Sequence, residues 1–149
     1  MIESQAVSAG GSAHDGLADT LVQSAFVTMA VLTRIAAEND LSLTQVRVLG
    51  ILRDRRVGIT ALAGYLGLDK STMTGLVRRA EERGLLRREP NPDDGRAVDV
   101  VLTGEAGTLV ETVRERVGRE LSSMTDALAP GEQRRLQSLL RRMLESGPS

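Results

Sequence analysis

One glycine, Gly67, separates two stretches of helical period, and that juncture constrains the fold more than any other feature of the chain. Upstream, Thr60 is placed to cap a short helix carrying Leu62, Ala63 and Leu66. Gly67 ends it by taking a left-handed conformation that glycine adopts without strain. Downstream, Asp69 offers a second cap. Met73, Leu76, Val77 and Ala80 then recur at helical spacing until Gly84, with Leu85 just beyond as the apolar partner of a Schellman end. A short helix, a tight turn and a second helix over 69–83 make a helix-turn-helix. Beyond Gly84 the period becomes strand-like. Residues 85–88 and 97–102 read as strands, and Glu89-Pro-Asn-Pro-Asp-Asp-Gly-Arg96 between them is a run of turn formers. This predicts a hairpin with a charged tip.

The flanks are helical as well. Leu17, Leu21, Ala25, Thr28, Leu32 and Ile35 trace one helix over 17–38. Ser42-Leu-Thr-Gln45 is a capping box that opens another over 43–54, with Val46, Leu49, Ile51 and Leu52. Thr103 caps a long helix through Leu109, Val113, Val117, Leu121, Met124 and Leu128, and Pro130 suits the first turn of a last one over 131–145. Residues 1–16 show no apolar period and are expected to be a flexible tail. The fold class is therefore mainly α, a winged helix-turn-helix with a small antiparallel hairpin as the wing. One unit spans 17–149, with the winged lobe at 42–103 and long helices at 17–40 and 104–149. Those helices carry more apolar surface than a lobe of about 60 residues covers, so pairing with a second copy is expected. Leu17, Leu21, Leu121, Leu128, Leu136 and Leu140 are the candidate contacts for that homodimer.

Composition removes most competing classes. No cysteine is present, which excludes disulfides, thiol redox chemistry and cysteine-based zinc sites. A Ser-His-Asp relay would have to recruit the single histidine, His14, from the expected tail. Gly10-Gly11 lacks the lysine of a phosphate-cradling loop. Neither an enzyme nor a metal or cofactor site is expected. No uninterrupted apolar run approaches the roughly 18 residues of a membrane span. The longest, around Phe26 to Leu32, is broken by Thr28, and Met1-Ile2-Glu3 lacks the basic flank of a signal peptide. A cytoplasmic protein without membrane contact is expected.

The net charge of −1 conceals a gradient. Residues 1–46 carry one basic and five acidic side chains, 47–96 eleven and seven, and 97–149 seven and eight, giving −4, +4 and −1. A polyanion would dock on the middle segment. There the outward face of the 69–83 helix offers Lys70, Ser71, Thr72, Thr74, Arg78 and Arg79, with Gly75 permitting close approach. Cations and hydroxyls on a helix that enters the major groove can reach phosphates and base edges. Thr60 is a candidate for the phosphate backbone. Arg87, Asp94 and Arg96 are the wing candidates: Arg96 projects from a narrow tip that fits a minor groove, and Asp94 is placed to hold its guanidinium or cap the turn. Only Phe26 and Tyr65 are aromatic, which argues against base-stacking single-strand modules. A winged-helix protein adaptor, or a nonspecific DNA coater, fits the same net charge.

Over residues 17–145 the sequence resembles the MarR family of bacterial transcriptional regulators. Asp94-Gly-Arg96-Ala-Val-Asp-Val-Val-Leu-Thr103 is similar to the family's wing signature Asp-x-Arg-Ser-x-x-Val-x-Leu-Thr, with Ala97 in place of Ser. Leu68 to Arg79 resembles its recognition helix, Glu82 to Arg87 the exit into the wing, and Pro130-Gly-Glu-Gln133 the start of its last helix. The resemblance implies a homodimer with intertwined terminal helices and a pseudo-palindromic operator in double-stranded DNA. It also implies repression relieved by a small, often aromatic or anionic ligand between the dimerisation helices and the lobe. Phe26, Arg34, Arg47 and Ile51 are the candidates to border that ligand, because they lie on the helices that usually flank it.

Overall fold

The computed structural model describes residues 12–147. The chain runs α1 (Ser12–Glu38), α2 (Leu43–Arg53), α3 (Ile59–Leu66), α4 (Lys70–Glu82), β1 (Leu86–Pro90), β2 (Val98–Leu102), α5 (Gly104–Thr125) and α6 (Pro130–Glu145). The fold is mainly helical, and its two strands pair antiparallel with Leu86 opposite Leu102 and Pro90 opposite Val98. Val57, in the α2–α3 connector, adds one bridge to this hairpin, its carbonyl accepting the Val100 N–H at 2.8 Å.

Three turns that shape the lobe share one construction. After α1, α3 and α4 an alanine carbonyl accepts the N–H of a leucine five residues on: Leu41 to Ala36 at 2.9 Å, Leu68 to Ala63 at 3.0 Å, Leu85 to Ala80 at 2.9 Å. Each is a Schellman end with an apolar contact across it. The residue before each leucine is left-handed: Gly67 at φ 64°, Gly84 at 75° and Asp40 at 55°. Asp40 is the only non-glycine residue so placed among the described residues, and a Cβ there is strained. Gly84→Ala is accordingly expected to lower the unfolding free energy by about 1 kcal/mol, and Asp40→Gly to shift it the opposite way. Urea unfolding of the pair checks both signs.

The core lies where the lobe meets the flanking helices. Ile35, Leu62, Met73, Val77 and Val100 are fully buried, with Leu49, Leu52, Leu86, Ala106 and Val110 around them. α1 and α5 are also clamped by charge. The Arg34 Nη1 donates to Glu120 Oε1 at 3.0 Å, Arg116 pairs with Glu38, and Arg34–Glu38 and Arg116–Glu120 close the ring at 3.8 and 3.7 Å. Hydrogen bonds from Arg34 hold the Glu120 carboxyl below its ordinary range.

Several expectations need correction. α1 starts at Ser12, so the expected tail over 1–16 is partly helical. Residues 1–11 and the His14 side chain lie outside the described residues. α1 is also long and apolar enough over Asp15–Glu38 to cross a membrane by length and composition. Alanines and valines outweigh the interspersed Thr, Ser and Gln in that average, whereas counting uninterrupted runs missed it. In this fold Ile35 and Ala36 bury the helix's last turns in the core. Gly58, not Thr60, caps α3, because the Val57 bridge brings the chain to the helix earlier. A Cβ at Gly58 would meet the Val98 carbonyl at 3.4 Å. β1 begins one residue later than expected, since Leu85 is taken by the Schellman turn, and runs on to Pro90. α5 stops at Thr125 rather than Leu128: Pro130 holds Ala129 extended, with ψ at 154°, so the chain must turn first.

Candidate nucleic-acid interface

Asp69 builds the start of α4. Its carboxylate accepts the Thr72 N–H and the Thr72 hydroxyl, each at 2.8 Å, and these bonds hold it ionised below the ordinary carboxylate range. Met73, Val77 and Ala80 bury one side of the helix. With 100° per residue, the side diametrically opposite carries Ser71, Gly75 and Glu82, flanked by Arg78 and Arg79. All six expected residues of this helix, Lys70, Ser71, Thr72, Thr74, Arg78 and Arg79, are exposed. The Thr72 and Thr74 hydroxyls each already donate within the helix's first turns, the latter to the Lys70 carbonyl at 2.8 Å, which leaves them as acceptors.

A groove runs between α4 and the wing, where Thr60, Lys70 and Thr74 face Arg88 and Val98. Arg88, which the sequence did not single out, lines this groove. Strand parity decides the matter: Arg88 lies opposite Val100 on the face turned to α4, whereas Arg87 lies opposite Val101 on the other face. Arg87 there donates to Glu89 at 2.6 Å and lines a separate cleft with Arg53 and Arg56. The wing tip leaves Arg96 exposed. Asp94 caps the turn, its Oδ1 accepting the Arg96 N–H at 3.0 Å, and no ion pair joins its carboxylate to the Arg96 guanidinium among the described residues.

Charge on this surface is partly neutralised from within. Arg78 pairs with Glu82 at 3.5 Å and Arg88 with Glu81 at 2.6 Å. Among the described residues Lys70, Arg79 and Arg96 have no carboxylate within 4.0 Å. Lys70 and Arg79 on α4 and Arg96 at the wing tip are therefore three cations per chain left free to meet phosphates.

A second feature lies between α1, α2 and α5. An apolar cavity of about 270 Å³ is walled by Leu32, Leu41, Val46, Leu49, Leu109, Val113 and Val117, with Arg53 and Arg114 at its edge. Glu111 joins those arginines, accepting from Arg53 Nε at 2.6 Å. None of the four expected ligand residues lines this cavity. Phe26 is 68% exposed near the middle of α1, and Arg34 is held by Glu120. Arg47 donates to the Tyr65 carbonyl at 3.1 Å, and Ile51 packs against the lobe core.

Of the six expected pairing leucines, Leu17, Leu21, Leu136 and Leu140 are exposed, while Leu121 and Leu128 are half-buried. α6 buries no residue at all.

Comparison with known proteins bears on what such a surface serves. Residues 39–97 match the family model described as the MarR family. The chain is 31% identical over 107 residues to the multiple antibiotic resistance protein MarR of Salmonella typhimurium, spanning 70% of this chain and 74% of that one. It is 30% identical over 119 residues to the transcriptional repressor NicR of Pseudomonas putida, spanning 78% and 75%. Among solved structures, a MarR family protein from Bacillus stearothermophilus shares the fold with a TM-score of 0.83 at 21% identity, over 93% of this chain and 98% of that one. A mutant MarR from E. coli complexed with operator DNA aligns with a TM-score of 0.66 at 26% identity, over 87% and 94%. With relatives of this identity matched over more than two thirds of their length, the chain belongs to the MarR family of transcriptional regulators, and it is a regulator rather than an enzyme.

Proposed function

We propose that the protein is a homodimeric repressor that binds a pseudo-palindromic operator in double-stranded DNA and releases it when a small molecule occupies the apolar cavity. The observation that carries this reading is the outward face of α4, where Ser71 and Gly75 lie between Arg78 and Arg79 and beside a groove shared with the wing's Arg88. Each copy sets α4 into a major groove and Arg96 into the adjoining minor groove, with half-sites about 10 base pairs apart. The exposed apolar stripes of α1 and α6 cover each other in the second copy. The family, and the operator complex of the E. coli relative, support the same reading. Access to promoter DNA places the protein in the cytoplasm. The aliphatic lining of the cavity suits an apolar effector. It would act by favouring a lobe spacing that no longer matches adjacent grooves, which requires different affinity for the two spacings.

Selection from a random-sequence duplex library at fixed salt tests this. An enriched inverted repeat is expected, bound at least about a thousandfold more tightly than unselected DNA. Three free cations per copy give six per dimer, so the log–log dependence of affinity on salt should have a slope of about −5. Equal affinity for selected and unselected duplex would overturn the reading in favour of a nonspecific coater, and absence of any duplex binding in favour of an adaptor.

A further inference from the structure

Asp99 is the one charged residue buried among the described residues, 4% exposed on β2. The DNA-contact reading gives it no task. Its carboxylate receives hydrogen bonds from two distant segments: Arg56 Nε reaches Oδ2 at 3.3 Å from the α2–α3 connector, and Asn91 Nδ2 reaches both oxygens at 3.2 Å from the base of the wing tip. Arg56 also donates to the Pro90 carbonyl at 3.2 Å and pairs with Glu89 at 3.0 Å.

Asn91 passes the constraint on. Its amide nitrogen is held by Asp99, so its Oδ1 is turned the other way and accepts the N–H of Asp93 at 2.8 Å and of Asp94 at 3.0 Å. Asp94 in turn accepts the N–H of Arg96. A continuous run of hydrogen bonds therefore leads from the lobe through Asp99, Asn91 and Asp94 to the backbone of Arg96. Residues 92–96 are all exposed and have no apolar burial of their own to order them. Packing alone does not call for a carboxylate at this position between Val98 and Val100, and burying one is unfavourable unless its hydrogen bonds are made.

We propose that Asp99 is a positioning residue for Arg96: it orders the wing tip during folding, so that the tip need not lose that freedom on meeting DNA. This rests on the reading that the protein binds duplex DNA through α4 and the wing.

Asp99→Leu in the full chain, which fills the site with an apolar group, tests it through two readouts. The first is amide hydrogen exchange at Asp93, Asp94 and Arg96, measured without DNA. Exchange there is expected to quicken at least about tenfold, while the Val77 and Val100 amides keep their protection. The second is a double-mutant cycle with Arg96→Ala on the duplex that the wild-type protein selects. Asp99→Leu is expected to weaken binding about tenfold in the wild-type background and less than about twofold once Arg96 is gone. Asp99→Asn keeps one acceptor for the Asn91 amide and should recover most of both effects.

Unchanged exchange at the tip would overturn the proposal, as would equal losses in the two backgrounds. An Asp99→Leu chain that fails to fold would also overturn it, by assigning Asp99 to the core. Should the wild-type protein select no duplex, the functional reading falls, while the exchange data still decide whether Asp99 orders the tip.

Discussion

A chain carrying Leu136→Arg and Leu140→Arg is expected to sediment as a single copy and to bind the selected duplex about a thousandfold more weakly than wild type. α6 presents Leu136, Leu139, Leu140 and Met143 at the spacing of one helical stripe, each between 38 and 42% exposed, and none is buried by the rest of the chain. Arg134, Arg135, Arg141 and Arg142 occupy the other side. Two further arginines leave the helix without an apolar face. In a twofold assembly each substitution counts twice, so four leucines are removed, each contributing about 1.5–3 kcal/mol when fully buried. Two lobes that are no longer joined then meet their half-sites as independent molecules. The advantage of a second lobe held at an effective concentration in the millimolar range disappears. Sedimentation at micromolar concentration and a titration on the duplex check the two halves of this result. The lobe itself should stay folded, since its core of Leu62, Met73, Val77 and Val100 does not involve α6. A double variant that still pairs would remove α6 from the interface.

Much of the lobe was legible because its instructions are local. Asp69 caps α4 through residues three positions away, and Gly67 and Gly84 end helices through bonds that span five. What escaped depends on contacts far apart in sequence. Thr60 could not be told from Gly58 as a cap without the Val57–Val100 bridge. Arg87 and Arg88 are adjacent, and which of them faces α4 turns on a strand register that a one-residue shift would invert. Asp99 carries no local mark of burial, because the groups that close over it are Arg56, 43 residues earlier, and Asn91 across the hairpin. The four residues expected to border a ligand lie off the apolar cavity for the same reason. Its walls come from three helices, and the rotation of α1 about its own axis, which turns Leu32 inward and Arg34 toward Glu120, is fixed by α5 rather than by α1. Asp40 is a milder case: sequence reasoning ended the first helix near the right place but gave no sign that a non-glycine residue would hold the left-handed turn.

Substitutions at Gly75 are expected to move stability and DNA binding in opposite directions. Nothing within the chain needs a glycine there. A Cβ at this position would meet only the Arg79 Nη1 at 3.5 Å, an ordinary van der Waals contact, and Gly75 is not among the glycines with positive φ. In a helix interior glycine is about 0.5–1 kcal/mol less favourable than alanine. Gly75→Ala should therefore raise the Tm by about 1–4 °C for a protein of this size. The same position stands at the middle of the outward face of α4, between Ser71 and the two arginines, where helix and base pairs would come nearest. Gly75→Leu holds the helix back from the groove floor and withdraws Ser71, Arg78 and Arg79 together. A loss of about 1–3 kcal/mol in each of two half-sites lowers affinity for the selected duplex by about thirtyfold or more. Phosphate contacts from Lys70 at the end of the helix are disturbed less, so binding to unselected DNA should fall by a smaller factor. Thermal unfolding and paired titrations on selected and unselected duplex measure the three quantities. A Gly75→Leu protein that still discriminates as wild type does would place the base-reading surface elsewhere, and a lower Tm for Gly75→Ala would mean that the fold, rather than DNA, requires the glycine.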